Sequence, residues 1–277
     1  MQNGVAYRSV EPVKPAAGYI GGKKQLAKKI IACIERIPHE TYAEPFVGMG
    51  GVFLRRRFAP KGEVINDRAG DVATFFRVLQ RHYVPFMDML RWQFTGRHEF
   101  ERLKACNPAT LTDLERAVRF LYLQRTAFGG KVAGRNFGVD VLGGRFNITK
   151  LEPILDALHE RLAGVTIECL PWAEFLARYD RPATLFYLDP PYWGSEGDYG
   201  ADLFSRDEYA ALAEALIRLQ GRFILSINDV PEVRRIFGRF RLTPVRLSYT
   251  IAGHARRPAR ELLITPRKVS KRTHFRS

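Results

Sequence analysis

The chain has 277 residues, 46% hydrophobic and 26% charged, which is ordinary for a soluble globular protein and fits one domain with an insertion, or two domains. Its formal net charge of +15 is not ordinary: such an excess suits a polyanionic partner, with nucleic acid the first candidate and an anionic membrane surface the competitor. No apolar run reaches transmembrane length and no signal peptide is evident, which points to the cytosol. The three cysteines, Cys33, Cys106 and Cys169, have no metal-ligand spacing and read as small buried apolar residues, so no metal is expected.

Residues through about Ala17 are polar with two prolines and read as a loose arm. Tyr19 then precedes Gly21-Gly22-Lys23, a turn leading into Leu26, Ile30, Cys33, Ile34 and Ile37 at helical spacing. Free N–H groups, a helix dipole and a lysine converge on such a turn and suit an anion; a plain helix entry looks the same. Next, Tyr42-Ala43-Glu44-Pro45-Phe46-Val47-Gly48-Met49-Gly50-Gly51 and the following apolar residues read as strand, glycine turn and helix. The glycines allow a sharp turn and close approach of a ligand, although the third is wrongly spaced for the dinucleotide fingerprint. The strand Glu63-Val64-Ile65 ends at Asn66-Asp67. An acid about 20 residues beyond a glycine turn meets ribose hydroxyls in Rossmann-like folds; Asp67 is also a candidate helix N-cap, and the spacing favours the ribose role. Asp71 reads as a first-turn helix charge.

From this point the alternation of strand and helix is interrupted. Val72, Phe75, Phe76 and Leu79 predict a helix, Pro85 breaks the pattern, and Thr112 with Glu115 fits a capping box for a helix through about Thr126. A glycine-rich segment follows, carrying Lys131, Arg135-Asn136-Phe137 and Arg145-Phe146-Asn147, and reads as loops or a hairpin. Arg and Asn are side chains that read base edges, and aromatics wedge or stack, so this segment is a candidate nucleic-acid contact.

The strand–helix pattern resumes with a helix near 151–162 and the strand Val165–Leu170. Trp172 at its carboxyl end could flank a flat ligand or belong to the core. The run Thr184-Leu185-Phe186-Tyr187-Leu188 has the content of a fully buried strand and delivers Asp189-Pro190-Pro191-Tyr192-Trp193 at its end. The prolines stiffen the backbone and remove N–H donors, and the residue before proline is held extended. Asp189 beside the Pro190 carbonyl is therefore a rigid double acceptor for an amino group, and Tyr192 can stack on the ring that carries it. A loop at 194–200, a helix near 206–219, a strand at 222–227 and two last β runs near 242–251 and 261–265 complete the pattern, with a basic link that includes Arg256 and Arg257 and a basic, disordered tail.

Glu44 with its glycines, Asp67 and Asp189 thus end three strands that share one rim of a parallel sheet. The first two suit an adenosine-type cofactor, the third a planar ring with an amino group. In their order, Gly-Gly-Lys, Glu-Pro-Phe-Val-Gly-x-Gly, Asn-Asp and Asp-Pro-Pro-Tyr resemble the motifs of the Dam-like N6-adenine DNA methyltransferases, with the recognition insert between the glycine motif and Asp-Pro-Pro-Tyr. Arg145-Phe146-Asn147 resembles the end of that insert.

The resemblance implies a Rossmann-like α/β methyltransferase fold, mostly parallel with an antiparallel carboxyl-terminal hairpin. Residues 1–74 and 159–277 would form the catalytic domain and residues 75–158 a mainly helical recognition domain. It implies S-adenosylmethionine as cofactor, near Tyr19, Gly22, Lys23, Glu44, Pro45, Phe46, Gly48, Gly50, Asp67, Trp172 and Asp189. Asp189, Pro190 and Tyr192 would be catalytic on a flipped adenine. Lys131, Arg135, Asn136, Arg145, Asn147, Arg256 and Arg257 would contact double-stranded DNA. A solitary, monomeric, cytoplasmic enzyme of bacterial or phage origin is expected. The rival readings are an RNA methyltransferase with a similar acidic-Pro-Pro-aromatic motif and an inactive DNA-binding relative.

Overall fold

The computed structural model describes residues 6–19, 23, 25–132, 134–138, 144–199, 204–249 and 257–267. In chain order the elements are β1 (Arg8–Ser9), α1 (Ala27–Glu35), β2 (Thr41–Glu44), β3 (Phe58–Ala59), β4 (Gly62–Asn66), α2 (Gly70–Arg81), α3 (Tyr83–Arg91), α4 (Arg97–Ala105), α5 (Asp113–Thr126), α6 (Ile148–Arg161), β5 (Thr166–Glu168), α7 (Trp172–Tyr179), β6 (Thr184–Leu188), α8 (Asp207–Arg218), β7 (Arg222–Asn228), α9 (Pro231–Ile236), β8 (Arg241–Tyr249) and β9 (Arg257–Thr265).

The main sheet has seven strands in the order β5-β4-β2-β6-β7-β9-β8. Five are parallel neighbours; β9 runs antiparallel to β7 and pairs with β8 as a hairpin. The expected α/β, mostly parallel architecture with an antiparallel carboxyl-terminal hairpin is therefore present. Its centre follows from composition. All five residues of β6 are buried, as a strand covered on both faces requires. Successive side chains alternate between faces. Leu185 and Tyr187 join a cluster with α1, α2 and the helices α3, α4, α5 and α6, whereas Phe186 and Leu188 join one with α7, α8 and α9. The first cluster continues without a break from the sheet into Phe75, Phe86, Phe100 and Phe120, so the inserted helices share the core of the sheet.

Several local expectations hold. Thr112 and Glu115 form the complete capping box of α5, with Glu115 Oε2 accepting from the Thr112 N–H at 2.9 Å. Asp71 lies in the first turn of α2 and pairs with Arg116 and Arg119.

Others need correction. The amino-terminal arm is not loose from residue 6 onward. Val10 donates to the Arg57 carbonyl at 2.9 Å and Val13 to that of Leu54 at 2.8 Å, β1 pairs with β3, and Val13, Ala16 and Ala17 are buried. The chain after the glycine turn forms only a 3-10 turn, Phe53–Arg55, because Arg56 turns extended to lead into β3. Pro85 does not end a helix; the break falls at His82, and Pro85 occupies the first turn of α3, where its missing N–H costs no helical bond. The cysteines are half-buried (Cys33, Cys106) or exposed (Cys169), not buried. The basic link is shorter than expected, since β9 begins at Arg257. Gly22, Arg256 and the tail from residue 268 lie outside the described residues.

Candidate active site

In the order β4-β2-β6, three parallel neighbours end on one rim, which is where open α/β sheets bind ligands. Asn66 ties this rim together. Its side-chain amide donates to the carbonyls of Pro45 at 2.9 Å and Leu170 at 3.1 Å, and its oxygen accepts from the Leu170 N–H at 2.8 Å.

The glycine turn after β2 needs its glycines. Gly48 and Gly50 have φ of 51° and 75°, and a Cβ on Gly48 would lie 3.0 Å from the Tyr19 ring. The Gly48 N–H donates to Asp67 Oδ2 and the Ala69 N–H to Oδ1, both at 2.9 Å. Asp67 therefore serves the entry of α2 and clasps the glycine turn. Burial pushes its carboxyl up to about 6 against those two hydrogen bonds.

Glu44 is buried and accepts from Tyr42 Oη at 2.5 Å. Burial raises its carboxyl to about 8, opposed by the Tyr42 bond and reinforced by the negative charge of Asp189. Asp189 meets two polar groups. Lys23 Nζ lies 2.8 Å from its Oδ1, and Ser226 Oγ donates to the same oxygen at 3.1 Å while sharing a 2.8 Å bond with Tyr187 Oη. Burial lifts Asp189 to about 6, with Lys23 pulling it down. Lys23 also donates to Tyr192 Oη at 2.7 Å, sits 4.3 Å above the centre of that ring, and lies 4.0 Å from the buried Glu261 Oε2.

Lys23, Glu44, Asp67 and Asp189 open onto a cavity of about 280 Å³, far larger than a packing void; Pro190 and Tyr192 are not part of its lining. Of the expected cofactor residues, Tyr19, Lys23, Glu44, Pro45, Phe46, Gly48, Asp67, Trp172 and Asp189 line it. Gly50 stands behind them in the turn, and a Cβ there would lie 2.8 Å from Leu54. Trp172 combines both readings: it is buried against Phe175 and α8, its indole N–H donates to Glu208 at 3.1 Å, and one side faces the cavity. Trp193 packs behind on Tyr209, and Asn228 bonds both its N–H and its carbonyl. Glu174 is exposed on α7.

The basic segment lies beside the mouth. Arg125 donates to the Ala16 carbonyl at 3.2 Å and to that of Arg145 at 3.3 Å, joining the cavity rim to the segment. Lys131 and Asn136 are exposed. Arg135 donates to Gln124 and the Lys131 carbonyl, and Arg145 to the Ala127 carbonyl. Asn147 is the N-cap of α6, accepting from the Lys150 N–H at 3.1 Å. Arg257 opens β9.

Residues 19–251 match the D12 class N6 adenine-specific DNA methyltransferases. The chain belongs to that family. D12 class membership agrees with the order of the strands and with the Asp189–Tyr192 stretch at the rim. The chain is 22% identical to the Type II methyltransferase M.CviBI of Paramecium bursaria Chlorella virus NC1A, over 91% of this chain and 97% of that one. It is 27% identical to the DNA adenine methylase of Escherichia coli K12 (88% and 92% covered) and 27% identical to that of Vibrio cholerae O395 (88% and 93%). Among the described residues no helix is long and apolar enough to cross a membrane, and no group of three or more His, Cys, Asp or Glu side chains could hold a metal ion.

Sequence reasoning missed several participants in this D12 class site. Pro15 and Ala17 line the cavity from the docked arm, Arg55 and Arg68 supply cations, and Phe204 covers one side. Ser226 and Glu261 surround Asp189 and Lys23 from β7 and β9. The signal available for Ser226 was a lone hydroxyl in an otherwise apolar strand, Phe223 to Ile227, which a buried strand tolerates only when bonded.

Proposed function

We propose that the cavity at the ends of β2, β4 and β6 binds S-adenosylmethionine and that Asp189, Pro190 and Tyr192 hold an adenine of duplex DNA by its N6 amino group. What carries this reading is one juxtaposition: Asp67 and Asp189, at the ends of strands on either side of β2, line the same cavity. The lining suits the cofactor. Asp67 offers acceptors for ribose hydroxyls, Tyr19, Phe46 and Trp172 offer rings for a purine and its surroundings, and the carboxylate of Asp189 suits a cationic sulfonium. The cofactor supplies a methyl group already bound to a good leaving group, so the chain needs only to present the acceptor nitrogen.

That nitrogen is a poor nucleophile because its lone pair is shared with the purine. Two acceptors, Asp189 Oδ and the Pro190 carbonyl, would draw on its hydrogens and orient the lone pair toward the methyl group. With a carboxyl near 6, Asp189 is ionised at neutral pH and basic enough to take up the proton that N6 loses. Lys23 and Ser226 fix Oδ1, and the Lys23 bond to Tyr192 sets the ring that stacks on the base.

Residues 75–158 would be the recognition insert beside the mouth. Lys131 and Asn136, which are exposed, would reach DNA, with Arg135, Arg145 and Asn147 beside them in the same segment. Arg256 and Arg257 would hold the phosphate backbone. A monomeric cytoplasmic enzyme of bacterial or phage origin fits this reading.

The test is methyl transfer from labelled cofactor to duplex DNA and, separately, to RNA, with the modified nucleoside identified after digestion. N6-methyladenosine in the DNA digest is expected. Label in RNA alone, or on another base, would sink the proposal.

A further inference from the structure

Arg55 is the last residue of the 3-10 turn that follows the glycine turn. It is half-buried and lines the cavity. Its Nη1 donates to the Gly51 carbonyl. Among the described residues no carboxylate lies within ion-pair distance of its guanidinium, and burial is the sole cause that shifts its ionisation, downward. A partly desolvated guanidinium with no counter-charge, facing a ligand cavity, is costly unless the ligand provides one.

Lys23 was expected near the cofactor, on a turn suited to an anion. Its ammonium is instead engaged by Asp189 at 2.8 Å and by Tyr192 at 2.7 Å, with Glu261 at 4.0 Å. Arg68, the third cation of the wall, follows Asp67 and so stands at the ribose end of the cavity. Arg55 lines the cavity from the turn that carries Gly51. A Cβ at Gly51 would lie 3.5 Å from the Lys23 backbone nitrogen and 3.8 Å from Arg55 Nη1. The guanidinium and the amide of the Gly-Gly-Lys turn therefore flank one small space.

We propose that Arg55 binds the α-carboxylate of the cofactor's methionyl group, and that Lys23 is reserved for Asp189 and Tyr192. The proposal rests on the reading that this cavity holds S-adenosylmethionine. The guanidinium retains donors beyond the one given to Gly51, enough for a bidentate contact with a carboxylate.

Binding measured without DNA separates the possibilities, by titration calorimetry with S-adenosylmethionine and with its decarboxylated analogue, which keeps the sulfonium and loses only the carboxylate. The wild-type chain is expected to prefer the intact cofactor by about ten- to a hundredfold, the span of a charged hydrogen-bonded contact. Arg55→Gln should abolish that preference while binding the analogue as the wild type does, which also reports that the variant is folded. Arg55→Lys should keep part of the preference. Equal binding of the two ligands by the wild type, a full preference in Arg55→Gln, or an equal loss for both ligands would overturn the role of Arg55. A wild-type chain that binds neither ligand would overturn the cofactor reading itself, and this inference with it.

Discussion

Lys23 Nζ and Asp189 Oδ1 stand 2.8 Å apart, joining the turn before the first long helix to the end of the central strand. Lys23 is almost completely buried, at 2% exposure, so its charge is set against Asp189 and Glu261 and not against water. The carboxylate proposed to accept from the amine is thus held in place by a lysine that also bonds Tyr192, the ring proposed to stack on the base.

The pair predicts a pH effect. Burial raises Asp189 to about 6 and Lys23 opposes that rise. Transfer that requires an ionised Asp189 should fall as pH drops through about 6. Lys23→Met removes the opposing charge, so the carboxyl rises further and the acid limb of the single-turnover rate should move to higher pH. The loss should be larger at pH 6.5 than at pH 9. An unmoved limb would show that Asp189 is not the group that titrates.

Glu44 predicts a stability effect of opposite visibility. Its folded-state carboxyl is raised to about 8, mainly by burial, from an ordinary value of 4.5. The folded state therefore holds a proton that the unfolded chain has released, and this stabilisation is lost as pH rises from about 4.5 through about 8. Glu44→Gln keeps the neutral shape and removes the titration. The melting temperature of the variant relative to wild type should climb across that window and level off above it. A difference independent of pH would contradict the assignment.

A buried ion cluster forms around Glu63 of β4. Glu63 accepts two bonds from Arg161, both at 2.8 Å, and lies 3.1 Å from Arg56, all three side chains being nearly inaccessible. Glu63→Gln leaves two buried guanidinium groups under-compensated, so urea unfolding should report a loss of about 3–5 kcal/mol. A loss below about 1 kcal/mol would mean that the arginines find other partners.

The sheet and most of the rim were legible because buried parallel strands write themselves as short apolar runs, and the polar residues that end Thr184–Leu188 and Gly62–Asn66 stand out against them. What was not legible depends on contacts between distant segments. The amino-terminal arm buries only Val13, Ala16 and Ala17, too few apolar residues to announce a docked segment. Helix α4 buries only Phe100 and Leu103 among charged neighbours, so its period is faint. Nothing near Lys23 in the chain reveals that its partner is Asp189, nor that Arg55 would have no carboxylate within ion-pair distance among the described residues. Asn147, expected to contact DNA, also caps α6, a role that depends on where the next helix begins.

The central claim is that Asp189 presents the N6 amine of adenine for methylation. It is tested most directly by quantifying N6-methyladenine formed in duplex DNA by the wild type and by Asp189→Ala under single-turnover conditions, with cofactor binding measured alongside. The wild type should form the modified base, and the variant should do so at least about a hundredfold more slowly while cofactor affinity changes only a few-fold. An Asp189→Ala chain that methylates adenine as fast as the wild type would contradict it.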